Sequence, residues 1–66
     1  MKLRFLYSTS PGGSCPTLYE TDDGRIVVQG SALTDAEALD QLRDVLDGET
    51  AVVVPRELLA GFDPKA

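Results

Sequence analysis

The chain begins with an alternation of hydrophobic and charged positions that predicts a β-strand. Leu3 and Phe5 alternate with basic residues, and the hydrophobic run continues to Tyr7. Since a strand with one buried face shows a period of two, we predict a first strand over residues 2–7. Residues 8–16 are rich in Ser, Gly and Pro and have no periodic hydrophobic position, so they are predicted to form a loop.

A Thr-Asp-Asp-Gly turn, ending at Gly24, joins two further hydrophobic runs. The runs span residues 17–20 and 25–29 and contain residue types that favour strands. Gly24 supplies the positive φ that a type I turn followed by a bulge requires. Both signals predict a β-hairpin, and Gly30 is expected to end its second strand or to form a bulge there.

After the hairpin the hydrophobic period changes from two to about 3.6, which predicts one main helix. Thr34 and Glu37 have capping-box spacing, in which each residue satisfies an unpaired backbone amide of the other. Hydrophobic residues then recur at spacings of three and four, at Ala38, Leu39, Leu42, Val45 and Leu46. We therefore predict an amphipathic helix over residues 35–46, capped by Thr34 and closed by Gly48.

A short β-branched run near the end of the chain predicts a last strand. The run covers residues 51–54, and Pro55 holds the residue before it in an extended conformation. Pro55 also suits the first position of a helix, so one or two helical turns are expected to follow. Leu58 or Leu59, together with Phe62, would dock these turns on the sheet.

The predicted order is β-β-β-α-β-α, which indicates the α+β class. The expected architecture is a small antiparallel or mixed β-sheet with the main amphipathic helix packed on one face. Gly61 and Pro64 limit the terminal helical turn. Since the 66 residues contain neither a repeat nor a low-complexity tract, residues 1–66 are predicted to form a single small domain.

Composition limits the ways in which so small a domain is stabilised. Hydrophobic residues make up 42% of the chain, which is typical of a folded domain. A chain this short buries only about 60% of its unfolded surface, so its core is expected to be thin. A single cysteine forms no intramolecular disulfide, and without histidine the usual Cys/His zinc site is excluded. A second subunit or a partner protein would supply further packing.

The charge balance argues against direct binding to nucleic acids or anionic membranes. Eleven acidic and six basic residues give a formal net charge of −5, which repels phosphate groups. The basic residues are scattered and form no run. No stretch approaches the roughly 20 hydrophobic residues of a membrane span. The acid excess favours solubility, with an acidic docking surface for a basic partner as the alternative.

Three constellations suggest chemistry, and each has a simpler explanation. The Gly-rich loop before Cys15 lacks the lysine and the following helix of a phosphate-binding loop, and Cys15 has no histidine as a base. Asp22 and Asp23 suit the turn and are too few ligands for calcium. Tyr7 and Tyr19 have no basic groove for stacking bases. We therefore predict no catalytic residue, no cofactor and no metal site, and a protein that is not an enzyme.

The amino-terminal run is a poor match to a signal peptide. Arg4 interrupts the hydrophobic residues that precede Cys15, and they are fewer than the roughly 7–15 of a signal-peptide core. A single thiol also fits a reducing compartment. The expected location is the cytoplasm.

Three segments of the chain resemble a known family. They are YSTSPGGSC from Tyr7 to Cys15, VVQGSALTD from Val27 to Asp35, and VVVPRELLAGF from Val52 to Phe62. With these segments the chain resembles the BldB-like family, very small actinobacterial proteins of unknown function that accompany helix-turn-helix regulators. It departs from that pattern in its long central helix and in lacking tryptophan.

The resemblance implies a small non-catalytic regulatory or accessory protein that acts through protein–protein contacts. Its partner would be a second copy, as a homodimer, or a basic helix-turn-helix DNA-binding regulator. The resemblance supplies no catalytic residue and implies structural or interfacial roles for Tyr7, Cys15 and Phe62. The alternative is a small-molecule sensor or carrier with its ligand between sheet and helix, although so small a domain has little room for a pocket of about 300 Å3.

Hydrophobic residues are expected on both faces of the sheet, which predicts self-association. Val27 should face away from Ile26 and Val28, and Leu6 away from Phe5. One helix covers only one face, so an exposed apolar patch is expected, and a symmetric dimer would bury it. The predicted interface residues are Leu6, Tyr7, Tyr19, Val27 and Phe62.

Overall fold

The strands of the protein form two antiparallel sheets. The computed structural model describes residues 1–9 and 16–62. Strands β1, β2 and β3 form a three-stranded sheet in that order, and β4 pairs with β5 in a second sheet. The α+β class is thus confirmed. The elements are β1 (Leu3–Ser8), β2 (Thr17–Thr21), β3 (Ile26–Gln29), β4 (Ser31–Ala32), α1 (Ala36–Asp40), β5 (Val52–Val53) and α2 (Arg56–Ala60).

The predicted hairpin is present as β2, β3 and the turn between them. Gly24 has a φ of +89°. Its amide donates to the Thr21 carbonyl at 3.1 Å, and the Thr21 amide donates to the Arg25 carbonyl at 2.8 Å. These bonds close a type I turn with a bulge at Gly24, so the predicted turn chemistry is confirmed.

A bulge in β1 changes which of its side chains share a face. Phe5 pairs with Tyr19, whereas Tyr7 pairs with Leu18, so Leu6 is an extra residue in the ladder. Strict alternation would place Tyr7 on the same face as Phe5. The bulge instead places Tyr7 with Leu18, which pairs with Val28 on the next strand.

The pairing therefore defines two faces of the three-stranded sheet. The first, which we call the Phe5 face, carries Leu3, Phe5, Thr17, Tyr19, Thr21, Val27 and Gln29. The second, which we call the Leu18 face, carries Arg4, Tyr7, Leu18, Glu20, Ile26 and Val28. Both faces present hydrophobic residues, as the sequence predicts.

The main helix is much shorter than predicted. α1 ends at Asp40 instead of continuing to residue 46, and none of its residues is buried. The Asp35 carboxylate accepts the Ala38 amide at 2.9 Å, so the prediction that Thr34 is the cap is wrong. Beyond the helix Asp44 has a φ of +54°, which α-helices do not contain. Since short helices depend on packing, a stripe with no surface to pack against does not hold the helix.

The terminal turn provides half of the small buried core. Leu18 is 1% exposed and Leu58 of α2 is fully buried, and these are the buried hydrophobic residues in the described part of the chain. The expectation that Leu58 docks this turn is met, whereas Leu59 is exposed. Pro55 is the N-cap and not the first helical residue, which corrects the prediction, and Gly61 ends the helix as predicted.

An additional strand, β4, precedes α1 and pairs with β5, so the order of the described elements is β-β-β-β-α-β-α. Gly30 separates β4 from β3 and ends the hairpin strand, as expected. A Cβ atom at Gly30 would lie 2.8 Å from the Val53 carbonyl oxygen and 2.6 Å from Cγ1 of Val54. Only glycine therefore lets the chain pass from one sheet to the other so close to β5.

Candidate interaction surfaces

The protein exposes more surface than a compact domain of its size, and large hydrophobic side chains contribute to it. Strands β1, β3 and β5 and both helices expose large hydrophobic side chains. The accessible surface is 5378 Å2, whereas a compact monomer of this mass exposes about 4100 Å2. The radius of gyration is 13.2 Å, against about 11 Å for a compact chain of this length. The excess of surface indicates that the isolated chain leaves area available for contacts.

The Phe5 face presents hydrophobic side chains together with Thr17, Thr21 and Gln29, and the Asp23–Arg25 ion pair lies at its end beside Thr21. Phe5 is 60% exposed and Leu3 is exposed beside it, while Tyr19 and Val27 are half-buried. The rings of Phe5 and Tyr19 meet edge to face, with centroids 6.4 Å apart and planes at 83°. The Tyr19 hydroxyl donates to Oε1 of Gln29 at 3.0 Å. Tyr19 thus has an aromatic partner and a hydrogen-bond partner on the same face.

The Leu18 face carries the charged residues of the paired strands. Arg4 and Glu20 pair across β1 and β2 and form an ion pair on the surface. At the other end of β1 the ring of Tyr7 lies against Gly61, since a Cβ atom there would lie 2.7 Å from Cδ2 of the ring. This contact joins the end of α2 to the sheet.

The structure separates the predicted interface residues into two groups. Tyr19 and Val27 pair directly on the Phe5 face. Tyr7 lies on the other face, against the residue that precedes Phe62, and Phe62 itself is half-buried. Leu6 is the bulge residue and is half-buried. Cys15 lies outside the described residues. Leu3 and Phe5 belong with Tyr19 and Val27 but were not predicted as interface residues, although their alternation already placed both on one face.

Residues 35–49 carry the whole net charge of the protein. They contain six acidic residues and Arg43 as their one basic residue, so their net charge is −5. The rest of the chain contains five acidic and five basic residues and is neutral. Within this acidic segment Leu39, Leu42, Val45 and Leu46 are all exposed. The net charge of the whole chain does not reveal this segregation, which appears only when the charge is counted by segment.

The acidic segment borders an open groove of about 530 Å3. Leu42, Val45 and Ala51 contribute hydrophobic lining, and Glu49 contributes a carboxylate. Gly48 turns the chain beneath it with a φ of +86°, and the Leu46 amide donates to Oε1 of Glu49 at 3.0 Å. The groove is a surface feature rather than an enclosed ligand site.

The Asp23 carboxylate in the hairpin turn accepts hydrogen bonds from neighbouring side chains of the same hairpin. Arg25 donates to Asp23 at 2.7 and 3.1 Å, and the Thr21 hydroxyl donates to the same carboxylate. The Arg25 guanidinium, followed by the Thr21 hydroxyl, lowers the pKa of Asp23 below its ordinary value of 3.8. In residues 1–9 and 16–62 no three His, Cys, Asp or Glu side chains are grouped as metal ligands.

Two further properties bear on the possible classes of ligand. A second open cavity, of about 380 Å3, lies at the end of the hairpin. Most of its lining residues are polar, among them Lys2, Arg4, Glu20 and Asp22. Neither cavity lies between the three-stranded sheet and a helix. No helix among the described residues has the length and hydrophobicity needed to cross a membrane.

Comparison of the chain with protein-family models, with curated proteins and with solved structures finds no match. The resemblance to the BldB-like family therefore stays a prediction, and the function is inferred from the surfaces of the protein.

Proposed function

We propose that this protein is a small non-catalytic regulatory or accessory protein that acts through protein–protein contacts, first of all with a second copy of itself. The observation that carries this proposal is the contrast between two buried hydrophobic side chains, Leu18 and Leu58, and exposed ones on three strands and both helices. The surface in excess of a compact monomer, about 1300 Å2, is enough for one side of a standard interface, about 800 Å2.

The Phe5 face suits contact between identical chains. Each copy carries a net charge of −5, so a stable homodimer needs an interface that keeps like charges apart. The Phe5 face presents Leu3, Phe5, Tyr19 and Val27, and the charged residues of the paired strands lie on the opposite face. Two such patches joined across a two-fold axis bury aromatic side chains against each other, which is a favourable core for an interface.

The partner beyond the homodimer is proposed to be a basic DNA-binding regulator of the helix-turn-helix class, in the cytoplasm. The acid excess supports a basic partner, because opposite charges favour encounter and register. A small-molecule sensor or carrier is the weaker candidate. Carriers enclose most of their ligand, and the two cavities described above are open at the surface.

The oligomeric state tests this proposal directly. Size exclusion with light scattering at micromolar concentration should report twice the chain mass of 7.1 kDa. Phe5→Glu places a charge in the middle of the Phe5 face and should give a monomer. Ile26→Glu is the matched control, since Ile26 is exposed on the Leu18 face, and this variant should remain a dimer.

A wild-type monomer would contradict the homodimer. A Phe5→Glu variant that keeps its circular dichroism spectrum and stays dimeric would place the interface elsewhere.

A further inference from the structure

The chain leaves one short ladder at residue 34 and returns to it at residue 50. Strands β4 and β5 pair in antiparallel register, and the Leu33 amide donates to the Ala51 carbonyl at 3.0 Å. This ladder holds the two ends of the intervening segment together. We call residues 34–50, which include α1 and the acidic segment, the appendage.

The hydrogen bonds of the appendage are internal. The Leu39 amide donates to the Asp35 carbonyl at 2.9 Å, and the Glu49 amide donates to the Leu46 carbonyl at 3.0 Å. The other hydrogen bonds that residues 34–50 form within the described chain also have both donor and acceptor in the appendage. The ion pairs of the described residues lie in the three-stranded sheet and its turn. Polar contacts therefore do not tie the appendage to the sheet.

The side chains of the appendage do not contribute to the core either. Ala38 is half-buried, and every other residue from 34 to 50 is exposed. The buried hydrophobic residues, Leu18 and Leu58, lie in β2 and α2. Segments with few buried apolar contacts open at a small fraction of the free energy of global unfolding.

We propose that the appendage is a separate conformational unit, which unfolds and refolds between the ends of the β4–β5 ladder while the three-stranded sheet, α2 and their core stay folded. The inference goes beyond the proposed function and does not depend on it.

Two properties of the sequence make this opening easy. The helix α1 has five residues, far fewer than the roughly 12–15 that an isolated helix needs in water. The six acidic residues of residues 35–49 repel one another, with Arg43 as their one basic neighbour, and self-repulsion favours expanded conformations. Opening exposes no buried hydrophobic side chain, because the appendage has none.

This division separates two properties of the protein. The appendage carries the net charge of −5, whereas the rest of the chain is neutral. The neutral part contains the core and the Phe5 face. The charged part thus changes conformation without a cost to the core or to the Phe5 face, which makes it a conformational device rather than a rigid surface.

Hydrogen exchange of the full protein tests the proposal. The Leu39 amide is bonded inside the appendage, and the Thr21 amide is bonded to the Arg25 carbonyl at 2.8 Å. After correction for intrinsic rates, Leu39 should exchange at least about a hundredfold faster than Thr21. The Leu33 amide, in the ladder, should exchange more slowly than Leu39. Equal protection of Leu39 and Thr21 would overturn the proposal.

Two proline variants provide a second measurement. Leu39→Pro removes a helical hydrogen bond of α1 and should abolish the helix. The appendage contains no aromatic residue, so the near-ultraviolet circular dichroism of the tyrosines reports the rest of the protein. The melting temperature from this signal should stay within about 2 °C of the wild type. Tyr19→Pro, in the central strand β2, is the matched control and should abolish the transition.

A matched pair of leucine variants separates the appendage from the core. Leu46→Ala, at a residue that is 68% exposed, should leave the melting temperature unchanged. Leu58→Ala makes the same chemical change at a fully buried residue and should lower it by about 10 °C or more, or prevent folding. A fall of more than about 5 °C in Leu39→Pro or Leu46→Ala would show that the appendage stabilises the sheet, and would overturn the proposal.

Discussion

Gly61 is the residue at which one added methyl group should disturb the fold most specifically. Its φ of −85° is open to any residue, so the constraint is spatial and not conformational. A Cβ atom at this position would collide with the ring of Tyr7. Gly61→Ala should therefore push the exposed ring of Tyr7 away from α2 and cost about 1 kcal/mol or less, since the ring can rotate into solvent.

Chemical denaturation of four proteins measures this effect. They are the wild type, the two single variants Gly61→Ala and Tyr7→Ala, and the double variant. Because the ring is the obstacle, Gly61→Ala should cost much less in the Tyr7→Ala background. Additive free-energy changes would mean that the two residues act independently.

The Asp23 carboxylate makes the stability of the hairpin depend on pH. Its pKa is lower in the folded protein than its ordinary 3.8, because Arg25 and Thr21 donate to it. A depressed pKa means that the stabilisation is present above the unfolded pKa and is lost as the pH falls through the folded one. Asp23→Asn should flatten the decline of the melting temperature below about pH 4.

The neighbouring substitution Asp22→Asn provides the control for that measurement. The Asp22 carboxylate accepts a bond from the Lys2 amide at 3.3 Å and not from an arginine. This variant should keep the acid-side decline of the wild type. If the melting temperature of Asp23→Asn fell with pH as steeply as that of the wild type, the pair of Asp23 and Arg25 would contribute nothing measurable to stability.

At the scale of elements, the cap of α1 distinguishes the observed helix from the predicted one. The Asp35 carboxylate accepts the Ala38 amide, whereas the capping-box pattern favoured Thr34. Asp35→Ala should lower the local stability of the helix by about 1 kcal/mol. Thr34→Ala should change it little. Carbon chemical shifts of residues 36–40 report the helical population of α1 in both variants. If Thr34→Ala lowered this population more than Asp35→Ala, Thr34 would be the N-cap, as the sequence predicts.

The elements that the sequence predicts well are those specified by neighbouring residues. The β2–β3 hairpin depends on its turn residues, and Gly24 has the conformation that those residues imply. The helix over 35–46 depends on a surface for its stripe, which local spacing does not reveal. The strand β4 has two residues and no hydrophobic period, and its partner β5 lies beyond the helix, so no local pattern marked it.

The candidate surfaces also combine features that neighbouring residues specify with features that depend on how the strands fit together. The hairpin turn sets the register in which Tyr19 pairs with Val27, so these two predicted interface residues lie together on the Phe5 face. Tyr7 is also a predicted interface residue, but the bulge at Leu6 places it on the other face. Bulges arise from the fit between strands and have no simple sequence signal. The charge of residues 35–49 was visible in the sequence but only when counted by segment.

At the scale of the whole molecule, the charge distribution predicts no affinity for duplex DNA. Neutralising phosphates releases counterions, which drives most protein–DNA binding, and a net charge of −5 opposes it. Purified protein should give no mobility shift with duplex DNA at low salt. A shift that weakens steeply as salt is added would contradict this prediction. Shifts that require an added basic protein would agree with it.

The contact between Tyr7 and Gly61 has a kinetic consequence. It joins the first strand to the last helix, so the chain between them closes into one long loop. Closing such a loop costs entropy that grows with its length, and non-local contacts therefore tend to form late. The hairpin, whose strands are adjacent in the chain, should form before this closure. Gly61→Ala should then accelerate unfolding and leave the folding rate nearly unchanged.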